Sequence, residues 1–284
     1  MPELPEVEVL RCHLEPQLLG KRIKHVEVLK SRVVRPESGG ELAESINGCT
    51  IRGVGRKGKF LWLNLARPRS RLEFPLTIHL GMTGRLFLQS MNQPLPKHAA
   101  VVFDLDGEKL VFKDVRTFGR VTLETDSIDL LGVDALSDAF TVERLSAAFA
   151  NTGQAVKVRL MDQRFIAGLG NIYVCEVLHL AKISPYAKSS ALPLAKRKAL
   201  HRAIRTTLAR QVEFGKGLDL DFPGEGQNDG LFYFGSTLDQ AQNSKEQFRV
   251  YGRVGKSCQT CGVEIERVEL AKRGTFFCPS CQGK

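Results

Sequence analysis

The sequence comprises 284 residues, with 41 Lys or Arg against 31 Asp or Glu and a formal net charge of +10. Its 43% hydrophobic and 25% charged residues are typical of globular proteins, which excludes a wholly disordered chain and leaves room for two domains. We find no apolar run of the ~18 residues that a transmembrane helix needs, and the acidic start is unlike a secretory signal, so we expect an intracellular protein. The charge favours a polyanionic partner, nucleic acid before a membrane surface, although it also fits a protein that charge merely keeps soluble.

The first part of the chain is predicted to contain one helix followed by many short strands. Residues 3–19 carry apolar side chains at helical spacing and predict a helix that ends at Gly20. Residues 22–123 predict strands, because short segments rich in branched and aromatic residues are separated by Gly, Pro and Asp turns. Asp106-Gly107 indicates a hairpin between two of these strands. So many strands in about 100 residues predict a β-sandwich or barrel.

Helical periodicity replaces the strand pattern near residue 134. LSDAFTVERLSAAFA predicts a capped helix, and NIYVCEVLHLAKI predicts a second helix with Asn171 as its N-cap. Residues 193–213 predict an amphipathic helix with a basic polar face. The cations of that face are Lys196, Arg197, Lys198, Arg202, Arg205 and Arg210. Residues 217–244 carry five acids and no Lys or Arg, and a loop of that length is typical of a functional lid or a disordered segment.

The most specific local pattern lies at the end of the chain. Four of the seven cysteines are arranged as Cys258-x2-Cys261-x16-Cys278-x2-Cys281. This spacing predicts one structural Zn2+, because each C-x2-C pair can present two thiolates from a tight turn, and four thiolates leave no position for water. The intervening residues alternate like a hairpin and bring Arg267, Lys272 and Arg273 near its tip, where they could reach phosphate.

The first residues combine a proline with two carboxylates. Removal of Met1 would expose Pro2 as a secondary amine, and an α-amino group with a pKa near ~8 is partly neutral at neutral pH. Such an amine can form a Schiff base, and Glu3 and Glu6 could move protons beside it. Pro and Glu are also ordinary residues of a first helical turn, so the residues alone leave a purely structural interpretation open.

Several segments recur together with this start. They are, in chain order, PELPEVE, HLGMTGRL at 79–86, MDQ…AGLGNIYVCE at 161–176, VYGR at 250–253 and the four-cysteine element. Together they resemble the bacterial formamidopyrimidine-DNA glycosylases, base-excision enzymes that act on oxidised purines. The resemblance runs from residue 2 to 281 and leaves out only 217–244. PELPE, in place of PEGPE, favours this family over the related endonuclease VIII.

The resemblance implies an α+β, multidomain fold. An N-terminal helix and β-sandwich would form the catalytic domain at 1–133, and a helix-two-turns-helix domain would occupy 134–244, with the acidic capping loop at 217–244. A zinc finger would occupy 245–284. Double-stranded DNA that contains oxidised bases or abasic sites would lie in a basic cleft between the halves. We further expect a monomer in the cytoplasm of a bacterium, associated with the nucleoid.

The resemblance also implies the chemistry. Pro2 would attack C1′ of the damaged nucleotide, and the resulting Schiff base would undergo β- and then δ-elimination. Glu3 would protonate the sugar oxygen and open the ring, and Glu6 would support the same site. Lys59, in RKGKFLWL, aligns with a strand-borne lysine that holds the phosphate beside the lesion, with Lys57 as the competing candidate.

Further residues are implied to bind DNA. Because the lesion is extruded from the duplex, Met82 would act as a wedge, Phe118 would stack between bases, and Arg116 would bond the widowed base, with cytosine as the fitting partner. The implied phosphate-binding residues, which include a glycine turn at a helix N-terminus, are His98, Lys157, Gly170, Asn171 and Arg273.

Three departures from the family pattern bear on specificity. Asp114-Val115-Arg116-Thr117-Phe118-Gly119 lacks the usual proline and one cation, Val158-Arg159 replaces a common Pro-Trp pair, and the 217–244 loop is about a dozen residues longer and acidic. We therefore expect a preference for different oxidised bases from those of the common bacterial member. Two alternatives stay open: the same chemistry on oxidised pyrimidines, and a non-catalytic member that only binds damaged DNA.

Overall fold

The computed structural model describes residues 2–217 and 248–283. These residues form two compact units, one of residues 2–129 with 215–217 and the other of 130–214 with 248–283. The acidic loop predicted at 217–244 lies, apart from its first residue, outside the described residues. Within the described ranges, no helix combines the length and the apolar character that crossing a bilayer requires.

The first unit is a β-sandwich preceded by a helix. Helix α1 spans Leu4–Leu18. The strands are β1 (His25–Val28), β2 (Thr50–Lys57), β3 (Phe60–Ala66), β4 (Glu73–His79), β5 (Arg85–Ser90), β6 (Ala99–Asp104), β7 (Glu108–Lys113) and β8 (Arg120–Thr122). They form two four-stranded antiparallel sheets, in the orders β2-β3-β4-β8 and β1-β6-β7-β5. The predicted helix-led sandwich is confirmed.

A large hydrophobic core fills the interior of this unit. Alternate residues of β3 point inward, so that Leu61, Leu63 and Leu65 are fully buried. Leu10 and Leu14 of α1 belong to the same cluster. Each fully buried leucine contributes about 1.5–3 kcal/mol of transfer free energy, so this packing fixes the start of α1 and with it the N-terminal residues.

A second helix lies in the region predicted to be entirely β. Helix α2 spans Gly39–Ile46 and begins at Ser38, whose Oγ accepts from the Glu41 backbone N–H at 3.2 Å. Glu41 returns the contact, because its Oε2 accepts from the Ser38 N–H at 2.7 Å. This capping box stabilises the first turn, and Leu42 and Ile46 then pack into the core. The strand prediction was wrong for these residues. The capping box offsets the helix-destabilising effect of the two glycines in the first turn.

The second unit is mostly helical. Helix α3, Asp126–Asp129, ends the first unit, and the later helices are α4 (Val142–Phe149), α5 (Val156–Leu160), α6 (Asn171–Leu180), α7 (Leu194–Lys216) and α8 (Pro279–Gln282). The parallel pair β9 (Val133–Asp134) and β10 (Ile166–Ala167) and the hairpin of β11 (Glu266–Leu270) and β12 (Arg273–Phe277) complete it.

Two helix starts differ from their predictions. Helix α4 begins only at Val142, where the Thr141 hydroxyl accepts from the Arg144 N–H at 3.3 Å, so 136–140 are not helical. Gly170, not Asn171, is the N-cap of α6, because the Asn171 side chain is used in a contact with the hairpin. The amphipathic helix and the finger hairpin are confirmed.

Candidate active site and nucleic-acid interface

The N-terminal proline and its two carboxylates form one buried cluster. Pro2 is buried, and Glu3 and Glu6 are 1% and 0% exposed. The Glu3 backbone N–H donates to Glu6 Oε2 at 2.8 Å, and the Glu3 side chain accepts from the Glu6 backbone in return. This capping box starts α1 and also holds both carboxylates beside residue 2. The helix-start and catalytic interpretations are therefore compatible.

The two candidate lysines occupy different environments. Lys57 ends β2, and its Nζ donates to the Ile128 carbonyl at 3.3 Å, so a structural contact occupies it. Lys59 lies in the two-residue turn between β2 and β3, after Gly58, whose φ is 58°. A positive φ at the first position of such a turn is typical of type II′ geometry. The lysine expected on a strand thus lies in the hairpin turn between β2 and β3.

His79 is a site residue that the sequence analysis did not single out. It ends β4 opposite Phe60, and the two rings lie 4.5 Å apart between centroids. Burial, together with the positive charges of Lys59 and Arg35, lowers the pKa of His79 to about 4. The ring is therefore neutral, and its Nδ1 accepts from the Gly81 N–H at 3.1 Å. Its position at the head of HLGMTG is the signal that could have identified it.

The predicted wedge and filler residues lie on two adjacent loops. Met82 and Phe118 are among the exposed large hydrophobic residues, at 41% and 46% exposure. The Arg116 guanidinium lies 4.6 Å from the centre of the Phe118 ring, a cation–π distance. A cavity of about 550 Å3 lies beside Phe118, and Arg32 and Arg35 line it. Exposed apolar side chains next to cations suit insertion into a stack of charged nucleotides.

His98 lies among lysines in the same unit. Its φ is 70°, in the left-handed region, so it occupies a sharp turn before β6. Burial and the charges of Lys30, Lys97 and Lys113 lower the pKa of His98. A local excess of positive charge is the electrostatic pattern expected for a surface that contacts the DNA backbone.

Three predicted phosphate-binding residues meet at the finger hairpin. Lys157 is 1% exposed, and its Nζ donates to Thr275 Oγ1 at 2.5 Å and to the Gly274 carbonyl at 3.3 Å. Asn171 Nδ2 donates to the same carbonyl at 2.9 Å. These contacts fix β12 directly after Arg273. A cavity of about 220 Å3 between α5 and the hairpin is lined by Lys157 and Arg273.

Gln163 orders the glycine turn that leads into Gly170. Its side-chain carbonyl accepts from the Gly168 N–H at 2.8 Å, and its Nε2 donates to the Leu169 carbonyl at 2.7 Å. Gly168 has a φ of 111°, which a residue with a Cβ rarely adopts. Gln163 is the last residue of the MDQ motif, whose sequence alone does not reveal this contact.

Glu176 of α6 is a second buried organiser. Its two oxygens accept three backbone N–H groups, from Arg249 at 2.8 Å, Val250 at 2.9 Å and Tyr251 at 2.8 Å. Burial raises the pKa of Glu176, although these hydrogen bonds oppose the effect. One carboxylate thereby fixes the VYGR segment, which the sequence analysis used only for the resemblance.

The four cysteines form a metal site. Their Sγ atoms all lie within 4.8 Å of one another, with Cys258 and Cys281 separated by 3.9 Å and Cys261 and Cys278 by 3.4 Å. A tetrahedral zinc with bonds of about 2.3 Å separates its sulfurs by about 3.8 Å, so the donor set fits Zn2+. A backbone hydrogen bond from Val263 lowers the pKa of the Cys261 thiol. The predicted structural zinc is confirmed.

Family models match three parts of the chain. The model of the formamidopyrimidine-DNA glycosylase N-terminal domain matches residues 1–121, and that of the H2TH domain of the same enzymes matches 131–220. The model of a zinc finger found in these enzymes and in an isoleucyl-tRNA synthetase matches 255–283.

Whole proteins match along nearly the full length. The formamidopyrimidine-DNA glycosylases of Pelotomaculum thermopropionicum and Chloroflexus aggregans are each 39% identical to this chain and cover 99% of it, with 99% and 98% of their own lengths matched. A Lactococcus lactis enzyme of the same name, solved with DNA containing an abasic site, superposes with a TM-score of 0.84 at 30% identity over 99% of this chain and all of its own. Another structure of the L. lactis protein, with an oxidised pyrimidine in its DNA, gives 0.85 at 31% identity over both full chains.

Proposed function

This chain belongs to the formamidopyrimidine-DNA glycosylase family, and from that premise we propose that it is a base-excision repair glycosylase with AP lyase activity. Its substrates are oxidised purines, 8-oxoguanine and formamidopyrimidines, in duplex DNA. The observation that carries the proposal is the buried cluster of Pro2, Glu3 and Glu6 at the start of α1. The capping box accounts for the start of α1, and the same burial holds both carboxylates beside residue 2, where they can move protons to and from the reacting sugar.

The chemistry begins with removal of Met1. The Pro2 amine attacks C1′, and the glycosidic bond breaks with its electron pair and a proton going to the departing base. Glu3 protonates the ring oxygen as the C1′–O4′ bond opens, which leaves an iminium between Pro2 and the open sugar. Loss of a C2′ proton then expels the 3′ phosphate, and δ-elimination expels the 5′ phosphate. Glu6 holds the Glu3 backbone through the 2.8 Å hydrogen bond.

The remaining site residues bind and hold the DNA. Lys59 holds the phosphate beside the lesion, and the neutral His79 ring fixes the turn that follows it. Met82, Arg116 and Phe118 fill the space that the extruded base leaves, and Arg116 faces the widowed base. The backbone contacts come from His98, Gly170, Asn171 and Arg273, and Lys157, whose buried amine bonds to Thr275 and Gly274, adds its positive charge to the same surface.

The zinc ion, when bound, supplies folding free energy rather than chemistry, because four thiolates close its shell. Cys258, Cys261, Cys278 and Cys281 hold it and thereby support the β11–β12 hairpin. The partner is double-stranded DNA with oxidised bases or abasic sites. We place the enzyme in the bacterial cytoplasm as a monomer. Its catalytic, helix-two-turns-helix and zinc-finger domains occupy 1–133, 134–244 and 245–284.

Oxidised pyrimidines are a second candidate substrate class. The L. lactis relative was solved with an oxidised pyrimidine in its DNA, and the acidic 217–244 segment sets this sequence apart from the family pattern. A side-by-side excision assay on 8-oxoguanine and on an oxidised pyrimidine separates the two. Equal or faster pyrimidine excision favours the second class.

Borohydride trapping tests the proposal. The protein lacking Met1 is incubated with duplexes that contain 8-oxoguanine opposite cytosine or an abasic site, reduced, and mapped by mass spectrometry. We expect an adduct on Pro2 with both duplexes, no adduct at this position when the N-terminal amine is acetylated, and a normal adduct in the control Pro16→Ala, since Pro16 is exposed. An adduct with the abasic duplex alone rejects the purine substrate, and no adduct with either rejects the enzyme.

A further inference from the structure

A fully buried carboxylate joins the two loops that carry the predicted wedge and fillers. Asp114 is 0% exposed and follows β7. Its Oδ1 accepts from Thr83 Oγ1 at 2.6 Å, on the loop that carries Met82. The same carboxylate accepts from the Arg116 N–H at 3.2 Å and the Gly119 N–H at 2.7 Å, on its own loop. Hydrogen bonds to a charged acceptor are stronger than those between neutral groups. The bond from Thr83 joins residues 31 positions apart in the sequence.

The two loops also touch through their backbones. A Cβ added to Gly81 would lie 2.7 Å from the Phe118 carbonyl carbon and 2.7 Å from the Gly119 nitrogen. A Cβ on Gly119 would lie 2.5 Å from a Phe112 ring carbon and 3.1 Å from Asp114 Oδ2. No side chain fits between the loops, so their separation is fixed by contact as well as by hydrogen bonds.

The loop conformation itself depends on these bonds. Thr117 has a φ of 53°, which a β-branched residue rarely adopts. The hydrogen bonds of Asp114 to residues 116 and 119 bracket this residue and hold it there. The strained turn aims Arg116 and Phe118 outward, where the guanidinium lies over the ring.

The backbone of Asp114 extends the same network to His98. The Asp114 N–H donates to the His98 carbonyl at 3.0 Å, and Lys30 Nζ donates to the Asp114 carbonyl at 2.9 Å. Four of the residues proposed to contact DNA are therefore linked to Asp114. His98 and Arg116 bond to it through their backbones, Met82 precedes its partner Thr83, and Phe118 precedes its partner Gly119.

We propose that Asp114 is a positioning residue whose carboxylate fastens the Met82 loop to the Arg116–Phe118 loop, so that the three side chains enter the base stack as one preformed unit. The inference rests on the proposed function. Preformed geometry matters because inserting side chains into a duplex gains affinity only if their own ordering cost is already met. Asp114 itself is not placed in contact with DNA.

Thr83 offers a matched pair of variants, because it is only half-buried and a change there need not unfold the protein. Thr83→Val removes the hydroxyl and keeps the shape, whereas Thr83→Ser keeps the hydroxyl. Two single-turnover rates are measured for each: excision of 8-oxoguanine from duplex DNA, and cleavage at an abasic site in single-stranded DNA. The second substrate has no opposite base and no stack to fill, so it reports the Pro2 chemistry with little demand on the fillers.

We expect Thr83→Val to lower the ratio of duplex to single-strand rates at least about tenfold, because it removes the hydrogen bond to the Asp114 carboxylate and also the one that Thr83 Oγ1 accepts from the Arg116 N–H at 3.2 Å. Thr83→Ser should stay within about twofold of the parent. In a Phe118→Ala background the loss from Thr83→Val should shrink, because the unit is already broken. Asp114→Asn should reproduce the Thr83→Val ratio if it folds, as judged by its melting temperature.

Three results would overturn the inference. They are equal ratios for Thr83→Val and Thr83→Ser, a parallel fall of both rates with the ratio unchanged, and the same fold loss with and without Phe118. Failure of the proposed function has a different signature, since the parent protein would then leave 8-oxoguanine in duplex DNA, whether or not it cleaves the abasic strand.

Discussion

Acidification should destabilise the turn that follows β4, because the fold keeps His79 neutral and protonation removes its hydrogen bond to Gly81. In an unfolded chain the imidazole takes a proton near its ordinary pKa of 6.5, whereas in the folded protein burial lowers the pKa to about 4. Between these values the unfolded state binds more protons, so the free energy of unfolding falls as the pH falls. Protonation also turns Nδ1 from an acceptor into a donor, which removes the 3.1 Å hydrogen bond from Gly81.

The size of the effect follows from the two pKa values. Each pKa unit corresponds to ~1.4 kcal/mol, so the full loss, reached only below pH 4, is about 3 kcal/mol. Near pH 5 the linkage relation gives about 2 kcal/mol, and above pH 6.5 it gives almost nothing. A loss of ~2 kcal/mol is a large share of the ~5–15 kcal/mol that stabilises a typical domain, so it is measurable.

Urea unfolding of the first unit is followed at several pH values between 7.5 and 5. His79→Gln removes the titrating ring and keeps a group that can accept from Gly81, and it should flatten the pH dependence by about 2 kcal/mol near pH 5. His25→Gln, at an exposed position, controls for the loss of a histidine as such. If His79→Gln and the parent lose stability in parallel, His79 is not the titrating group and the reasoning fails.

Three further predictions concern single contacts. Lys59→Ala should slow the cleavage of duplex DNA at least tenfold. Lys57→Ala should lower only the free energy of unfolding, by the ~1 kcal/mol of its hydrogen bond to Ile128. Cleavage rates and melting curves of both variants distinguish the two effects. In Glu176→Gln the side-chain N–H₂ faces a backbone N–H, so we expect the free energy of unfolding to fall by ~1–3 kcal/mol. The measurement is the rate of zinc loss to a chelator, which should be faster than in Glu264→Gln, a control at an exposed position. Cys278→Ser should release the zinc and weaken DNA binding, and unchanged zinc content would contradict the site.

The parts of the structure that the sequence predicted well are those that local chemistry determines. The finger needed only the C-x2-C spacings and an alternating segment, and its turn at Ala271-Lys272 has φ values of 51° and 59°, the positive pair of a type I′ hairpin turn. The hairpin at Gly107, with a φ of 86°, follows the same logic. In each case neighbours along the chain fix the conformation.

Other features depend on residues far apart in sequence and could not be predicted from it. Gly170 and Asn171 are both acceptable N-caps, and the choice was settled by the contact of Asn171 with Gly274, 103 residues away. The alignment with the family picks Lys59 over Lys57, but the sequence does not show that Lys57 ends the strand ladder and that Lys59 lies in the turn after it. The sequence does not distinguish Asp114 from other acidic residues, because its contact with Thr83 exists only in the folded chain.

The finger hairpin and the helices of the second unit stabilise one another. Lys157 and Asn171 reach Gly274, Gln282 Nε2 donates to the Ile183 carbonyl at 2.9 Å, and His179 Nε2 lies 3.4 Å from Cys258 Sγ. Each contact joins a helical side chain to the hairpin, or the finger to the helical segment. Because metal binding and folding are linked, the free energy that zinc supplies is shared with these contacts. Removing the zinc should therefore displace Arg273 and loosen Lys157 together, so that chelation weakens binding to undamaged and damaged DNA alike.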